Sequence, residues 1–317
     1  MSVAPSESLR AALAERLPEV PVSFCGPDAA GPWPSAEAWL VGTPARDLPL
    51  WTAARTPALR FVQRQFTGLD GFPFEAFPPA VRIAGNGGAY APFVAEHAVA
   101  LALAIAHPIR EGHRRVAEGR LRPPIPNRFL IGRTALILGF GAIGRETATR
   151  LAALGLRIHA LTHDGRAAPG AERTYAPADL RAAVGEADLI IECRPLTRST
   201  KGTIDRAVLR AMRPEALFVN IARAGTVVEE DLSEHLRTHP EFRAAFDVFW
   251  HESFDRGSIP EGAALAALPN FLGTPHVAAI GPEARARAET YAVENLARFF
   301  RGESPRFVAE RAEYEGM

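Results

Sequence analysis

Cysteine is scarce in this 317-residue chain: Cys25 and Cys193 are the only two, and they stand far apart. Neither a disulfide scaffold nor a Cys/His zinc pattern can be built from them, so no metal is expected and a reducing compartment is the natural setting. Lysine is almost absent. Lys201 is the single one among 36 basic residues, a usage that reads as GC-rich coding bias. Neither sign of charge is in excess, because 36 acidic residues balance the 36 basic ones. Such a chain has no broad field with which to attract nucleic acid or an anionic membrane. Long apolar runs are missing too. The stretch Ala98–Ala106 falls far short of a bilayer span, and Glu7, Arg10, Glu15 and Arg16 interrupt the region where a signal peptide would need an apolar segment. The expectation is a cytoplasmic protein without nucleic-acid or membrane partners.

What remains is a globular composition, 47% hydrophobic and 23% charged, with length for about two domains. The first ninety residues predict a helix over Ser6–Arg16 and short strand-like runs at Pro21–Phe24, Ala38–Val41 and Leu59–Gln63. Turns such as Gly31-Pro32-Trp33-Pro34 separate them, which suggests a small parallel α/β unit. Apolar spacing predicts a long helix from Pro92 to about Glu118, kinked or restarted at Pro108. The arginine-dense segment from Arg110 to Arg133, broken by Pro123, Pro124 and Pro126, reads as a solvated helix face and a loop.

From Thr134 the pattern becomes regular. Strands are expected at Ala135–Leu138, Arg157–Leu161, Asp188–Glu192, Leu217–Ile221, Ala244–Val248 and Phe271–Thr274, with helices between most of them. Short apolar strands alternating with helices imply a doubly wound parallel sheet covered on both faces. A last helix over Pro282–Arg301 follows this unit and could return to the first. The expected division is therefore a discontinuous substrate-binding domain, 1–92 plus 284–317, and a dinucleotide-binding domain, 93–283.

Gly139-Phe140-Gly141-Ala142-Ile143-Gly144 is a G-x-G-x-x-G element between a buried strand and a helix. Gly139 permits the tight turn, Gly141 lets a pyrophosphate approach, and Gly144 lets helix and strand pack closely. The helix start offers N–H groups and a positive dipole end to phosphate, which makes Ala142 and Ile143 contact candidates. The next strand ends not in an acid but in Thr162, with Arg166 nearby. That pairing suits a ribose 2′-phosphate, so NADP is the expected cofactor. Asp164 leaves NAD open if the loop runs two residues longer.

Ligands of open parallel sheets lie beyond the carboxyl ends of strands. There the later strands lead to Arg223, Glu252 and His276. Arg223 can grip a carboxylate with its planar fork. His276 can give a proton to a ketone oxygen as hydride arrives, and Glu252 can orient the imidazole. His251 is the nearest competing histidine and reads as a loop residue.

These motifs resemble the D-isomer-specific 2-hydroxyacid dehydrogenase family. The resemblance rests on Gly139–Gly144, Pro195-Leu196-Thr197 through Thr200, Asn220-Ile221-Ala222-Arg223, Asp247-Val248-Phe249 with Glu252, and Thr274-Pro275-His276. It implies two Rossmann-like or flavodoxin-like α/β domains with the active-site cleft between them. It further implies a catalytic trio of Arg223, Glu252 and His276 and a homodimer joined through the cofactor domain. Ile221 and Asp247 would serve the nicotinamide end of the cofactor, Pro195 and Thr200 the adenosine side. In the first unit Thr67-Gly68-Leu69-Asp70 and Gly87-Gly88-Ala89-Tyr90 resemble substrate loops, making Thr67, Gly68 and Gly88 substrate-binding candidates. The chain departs from the family at Ser253, Ala224, Ala279 and Thr162, none of which removes a catalytic group. The implied reaction is hydride transfer between NAD(P)H and a small 2-oxo acid of the glyoxylate or hydroxypyruvate kind. The alternative is a dinucleotide-sensing binding protein of the same fold without significant turnover. A phosphite oxidase would carry lysine where Thr67 stands, and formate enzymes replace the Glu252 carboxylate with an amide.

Overall fold

Two all-parallel sheets organise the chain. The structure, a computed structural model, describes residues 1, 6–25, 33–42, 56–121, 126–252, 257–260 and 262–316. They divide into two compact units, Met1–Tyr90 with Ile280–Met317, and Ala91–Ala279. The smaller sheet runs β1 (Ala38–Val41), β2 (Phe61–Arg64), β3 (Arg82–Ala84). Along β2 successive side chains point to opposite faces. Phe61 therefore joins helices α1 (Glu7–Arg16) and α9 (Pro282–Phe300), stacking on Phe299 at 5.2 Å, while Val62 joins Phe72, Phe74 and Phe77 on the other face.

Local chemistry sets the helix ends in this unit. Ser6 caps α1 by accepting from the Leu9 N–H at 3.1 Å, and Pro282 starts α9, where a missing N–H costs nothing. The fully buried Glu289 of α9 accepts from the Ser6 and Ser8 hydroxyls and from Arg285, which ties the chain start to the last helix. Burial alone would raise its carboxyl, but these bonds hold it below the ordinary range.

The larger sheet has seven strands in the order β10-β9-β8-β7-β4-β5-β6. They are β4 (Thr134–Leu138), β5 (Arg157–Leu161), β6 (Arg173–Tyr175), β7 (Leu189–Glu192), β8 (Leu217–Asn220), β9 (Arg243–Phe246) and β10 (Phe271–Gly273). Every residue of β4, β7, β8 and β9 is buried, as a sheet covered on both faces requires. Helices α2 (Ala91–Ala106), α3 (Ile109–Ala117), α4 (Ala142–Ala153), α5 (Leu180–Gly185), α6 (Arg206–Ala211), α7 (Glu229–Thr238) and α8 (Gly262–Ala266) accompany it. The sheet grows from β4 toward β6, then resumes on the other side of β4 at β7. The switch point thus lies between β4 and β7.

Several expectations need correction. The run Pro21–Phe24 joins no sheet; Ser23 and Cys25 instead hydrogen-bond Met1 at 2.7 and 2.8 Å. The helix expected from Pro92 to Glu118 is two helices, bent by 57° at His107–Pro108, because proline cannot donate the bond that would continue the ladder. The solvated helix face is present, since no residue of α3 is buried and Arg110, Arg114 and Arg120 are exposed, but two arginines also tie the segment to the rest of the larger unit. Arg110 donates to the Ala266 and Leu268 carbonyls at 3.1 Å, and Arg128 to the Glu215 carbonyl at 2.7 Å. Pro123 and Pro124, like Gly31, Pro32 and Ser253, lie outside the described residues. Strands β3 and β6, three residues each, were not anticipated; they are too short to show a period. No single helix among the described residues is long and apolar enough to cross a membrane.

Candidate active site

Three neighbouring strand ends build the site. Asn220, Phe246 and Gly273 are in register across β8, β9 and β10, so the residues that follow them start from one edge. After β8, Asn220 folds the chain back by accepting from the Ala222 N–H at 3.0 Å and donating to the Arg223 carbonyl at 3.0 Å. Thr226 donates to the same carbonyl at 2.9 Å, and Arg223 itself is half-buried. The Ala224 departure does not open this turn, since Ala224 begins a short 3-10 segment.

After β10 the chain turns through His276, which has φ 54°. A non-glycine residue in the left-handed region is held there by its surroundings. The holding group is Asp247, directly after β9. Its buried carboxylate accepts from the Thr274 hydroxyl at 2.6 Å and from the N–H groups of Val277 and Ala278 at 3.0 and 2.9 Å. His97 of α2 approaches the same carboxylate at 3.4 Å and the Thr274 hydroxyl at 3.0 Å. Burial alone would raise the Asp247 carboxyl; hydrogen bonds from His97, Thr274, Val277 and Ala278 together hold it below the ordinary carboxylate range.

The His276 ring meets Glu252, with Nδ1 at 2.7 Å from Oε2. Glu252 is fixed in turn by the Phe249 N–H, which donates to Oε1 at 2.7 Å. A carboxylate on Nδ1 selects the tautomer and fixes the orientation of the ring, with Nε2 on its far side. His251 is exposed and pairs with Glu229 at 3.2 Å, away from this arrangement.

The glycine turn has the form a pyrophosphate requires. Gly139 has φ 91°, and a Cβ on Gly144 would stand 2.1 Å from the Gly139 carbonyl oxygen. A Cβ on Gly141 would meet nothing within 4 Å, so that position faces open space. No side chain caps α4, which leaves the first-turn N–H groups around Ala142 and Ile143 to an external acceptor. At the end of β5, Thr162 donates to the Arg166 carbonyl at 3.3 Å, and the exposed Arg166 guanidinium pairs with Asp164 at 3.2 Å. The segment after β7 closes on itself through Thr200, whose hydroxyl donates to the Pro195 carbonyl at 2.6 Å and accepts from the Thr197 N–H at 2.9 Å. Ile221 is buried at the end of β8.

In the other unit, the loops after β2 and β3 are stitched together. Thr67 donates to the Asn86 carbonyl at 3.2 Å, Arg64 donates to the Gly68 carbonyl, and Gly88 has φ 83°. Asn86, buried, donates to Gln65 at 2.9 Å and Ala288 at 2.8 Å. Gln63, also buried, donates to the Gly85 carbonyl at 3.2 Å and accepts from Asn295 of α9 at 2.6 Å. Sequence reasoning did not single out Asn86, Asn295 or His97. Each acts through a partner remote in sequence, and only polar residues inside apolar stretches hint at them.

Comparison with known proteins agrees with this architecture. Residues 99–278 match the family described as D-isomer specific 2-hydroxyacid dehydrogenase, NAD binding domain. The hydroxypyruvate reductase of Thermotoga maritima is 32% identical over 240 residues, covering 75% of this chain and 76% of that protein. Two solved structures resemble nearly the whole chain, each 25% identical. The D-isomer specific 2-hydroxyacid dehydrogenase of Xanthobacter autotrophicus Py2, in complex with NADPH and MES, has a TM-score of 0.80 and coverage of 98% and 96% of the two chains. The NADPH-dependent glyoxylate/hydroxypyruvate reductase of Sinorhizobium meliloti, in complex with NADP and sulfate, has a TM-score of 0.78 and coverage of 97% and 96%. With an α/β fold of two parallel sheets and a family match over more than half its length, this chain belongs to the NAD(P)-dependent D-isomer-specific 2-hydroxyacid dehydrogenases.

Proposed function

We propose that this enzyme reduces a small 2-oxo acid of the glyoxylate or hydroxypyruvate kind to the D-2-hydroxy acid, with NADPH preferred over NADH. The observation that carries the reading is the 2.7 Å contact between His276 Nδ1 and Glu252, on the sheet edge that also presents Arg223. Arg223 binds the substrate carboxylate through its planar fork. Glu252 orients the imidazole, and His276 Nε2 delivers a proton to the carbonyl oxygen. In the reverse direction the same nitrogen removes that proton. The cofactor, held at Gly139, Gly141, Ala142, Ile143 and Gly144, supplies the hydride when bound. Thr162 and Arg166 favour a 2′-phosphate, while Pro195, Thr200, Ile221 and Asp247 complete the cofactor region in this reading.

The domain division proposed from the sequence assigns the dinucleotide to the larger unit. In the smaller unit, the loops bearing Thr67, Gly68 and Gly88 have backbone N–H groups suited to a carboxylate. The choice of substrate draws support from the Thermotoga and Sinorhizobium relatives, both of which carry hydroxypyruvate reductase in their names. Cofactor oxidation followed by absorbance across a panel of 2-oxo acids, with NADPH and NADH in parallel, tests the proposal. Turnover of glyoxylate or hydroxypyruvate with a higher kcat/KM for NADPH is expected. Tight cofactor binding with no acid reduced would contradict it, and a strong NADH preference would overturn the cofactor assignment.

A further inference from the structure

A buried ion pair stands at the sheet's switch point, and the chemistry above does not use it. Glu192 ends β7 with its side chain fully buried. Arg194, two residues on and nearly as buried, turns back to it. Its Nε lies 3.0 and 3.1 Å from the two carboxylate oxygens, its Nη2 lies 2.5 Å from Oε2, and its backbone N–H donates to Oε1 at 2.8 Å. The third guanidinium nitrogen, Nη1, has no hydrogen-bond partner among the described residues, yet it is not sealed from solvent.

The pair lies against the glycine turn. Arg194 Cγ, N and Cα lie 2.9, 3.0 and 3.1 Å from the point a Cβ on Gly139 would occupy. The Cys193 N–H donates to the Leu138 carbonyl at 2.8 Å, and the Gly139 N–H to the Leu161 carbonyl at 2.9 Å. The ends of β7, β4 and β5 are thus laced together around the turn, with Arg194 as the wall on the β7 side. Ligands of doubly wound sheets occupy this crevice. Taking two charges out of water is costly, and apolar residues of similar volume would pack as well. Packing alone therefore gives no reason for an ion pair here.

We propose that Arg194, held in orientation by Glu192, binds the adenosine-diphosphate half of the dinucleotide through Nη1. Glu192 cancels the charge, so the pair supplies a directed donor rather than a positive field. The proposal rests on the dinucleotide reading above, and binding measured without substrate separates the two. Titrations of NADPH, ADP-ribose and reduced nicotinamide mononucleotide are made by calorimetry on the wild type, Arg194→Met and Arg194→Met/Glu192→Met. Methionine keeps a stem over Gly139 and removes the donors. The double variant also removes the orphaned carboxylate, so a poorly folded single variant does not void the test. Loss of one charge-assisted hydrogen bond weakens NADPH and ADP-ribose about tenfold or more. The mononucleotide, which lacks the adenosine half, keeps its wild-type affinity. Wild-type affinity for ADP-ribose in the double variant, with only Tm changed, would overturn the proposal and leave the dinucleotide reading standing. Failure of the wild type to bind NADPH, NADH or ADP-ribose would overturn both.

Discussion

His276 and His235 carry the same imidazole into opposite environments. His276 sits half-buried at a strand end with a carboxylate 2.7 Å from its Nδ1. His235 lies inside α7, 7% exposed, edge-on to Phe242 at 4.6 Å and stacked on His239 at 4.0 Å. Burial, with smaller contributions from His239 and Arg210, pushes its pKa from 6.5 down to about 4. The unfolded chain therefore takes up this proton first as pH falls. The stability that depends on neutral His235 is complete above about pH 6.5 and is lost progressively toward pH 4. Urea unfolding at pH 7 and pH 5 should show a loss of about 2 kcal/mol in the wild type that His235→Leu does not share. An equal loss in both proteins would contradict this assignment. Glu252 and His276 were legible in the sequence because each follows a strand of the regular half at its carboxyl end. The burial of His235 was not, since it depends on Phe242 and His239 folding back over it.

Helix α3 raises the corresponding question for an element. None of its residues is buried, and Val116 is 74% exposed. Ile109 on the same helix, and Leu121, Phe129 and Ile131 after it, are exposed as well. Isolated apolar residues on a surface need no explanation, but five within one segment suit a covered interface. The homodimer implied by the family resemblance would cover this segment of the larger unit. Light scattering should give about twice the 34.2 kDa chain mass, and Val116→Glu/Phe129→Glu should lower it to the single-chain value. A wild-type mass of one chain at micromolar concentration would contradict this expectation. The sequence marked the end of the preceding helix well, because Pro108 removes a donor whatever surrounds it. Strands β3 and β6 escaped notice because three residues carry no period, and the ladder with a neighbour is what makes them strands.

At the scale of the whole chain, the alternation of strands and helices from Thr134 onward was enough to foresee a doubly wound parallel sheet. The β4–β7 switch point, and the pairing of α9 with α1 through Leu9, Leu13, Val293 and Leu296, emerged only in three dimensions. Asp247 belongs to the same class. Its carboxylate, a cofactor-side candidate by the family motif, accepts from Thr274, Val277 and Ala278 and lies 3.4 Å from His97, contacts that fix the backbone carrying His276. The proposed mechanism reduces to one chemical statement, that His276 protonates a 2-oxo acid as hydride reaches it. The most direct test is single-turnover oxidation of NADPH by glyoxylate or hydroxypyruvate in the wild type and in His276→Ala, with NADPH affinity measured on both. The variant should bind NADPH with unchanged Kd and turn over about two to four orders of magnitude more slowly; equal rates in the two proteins would contradict the mechanism.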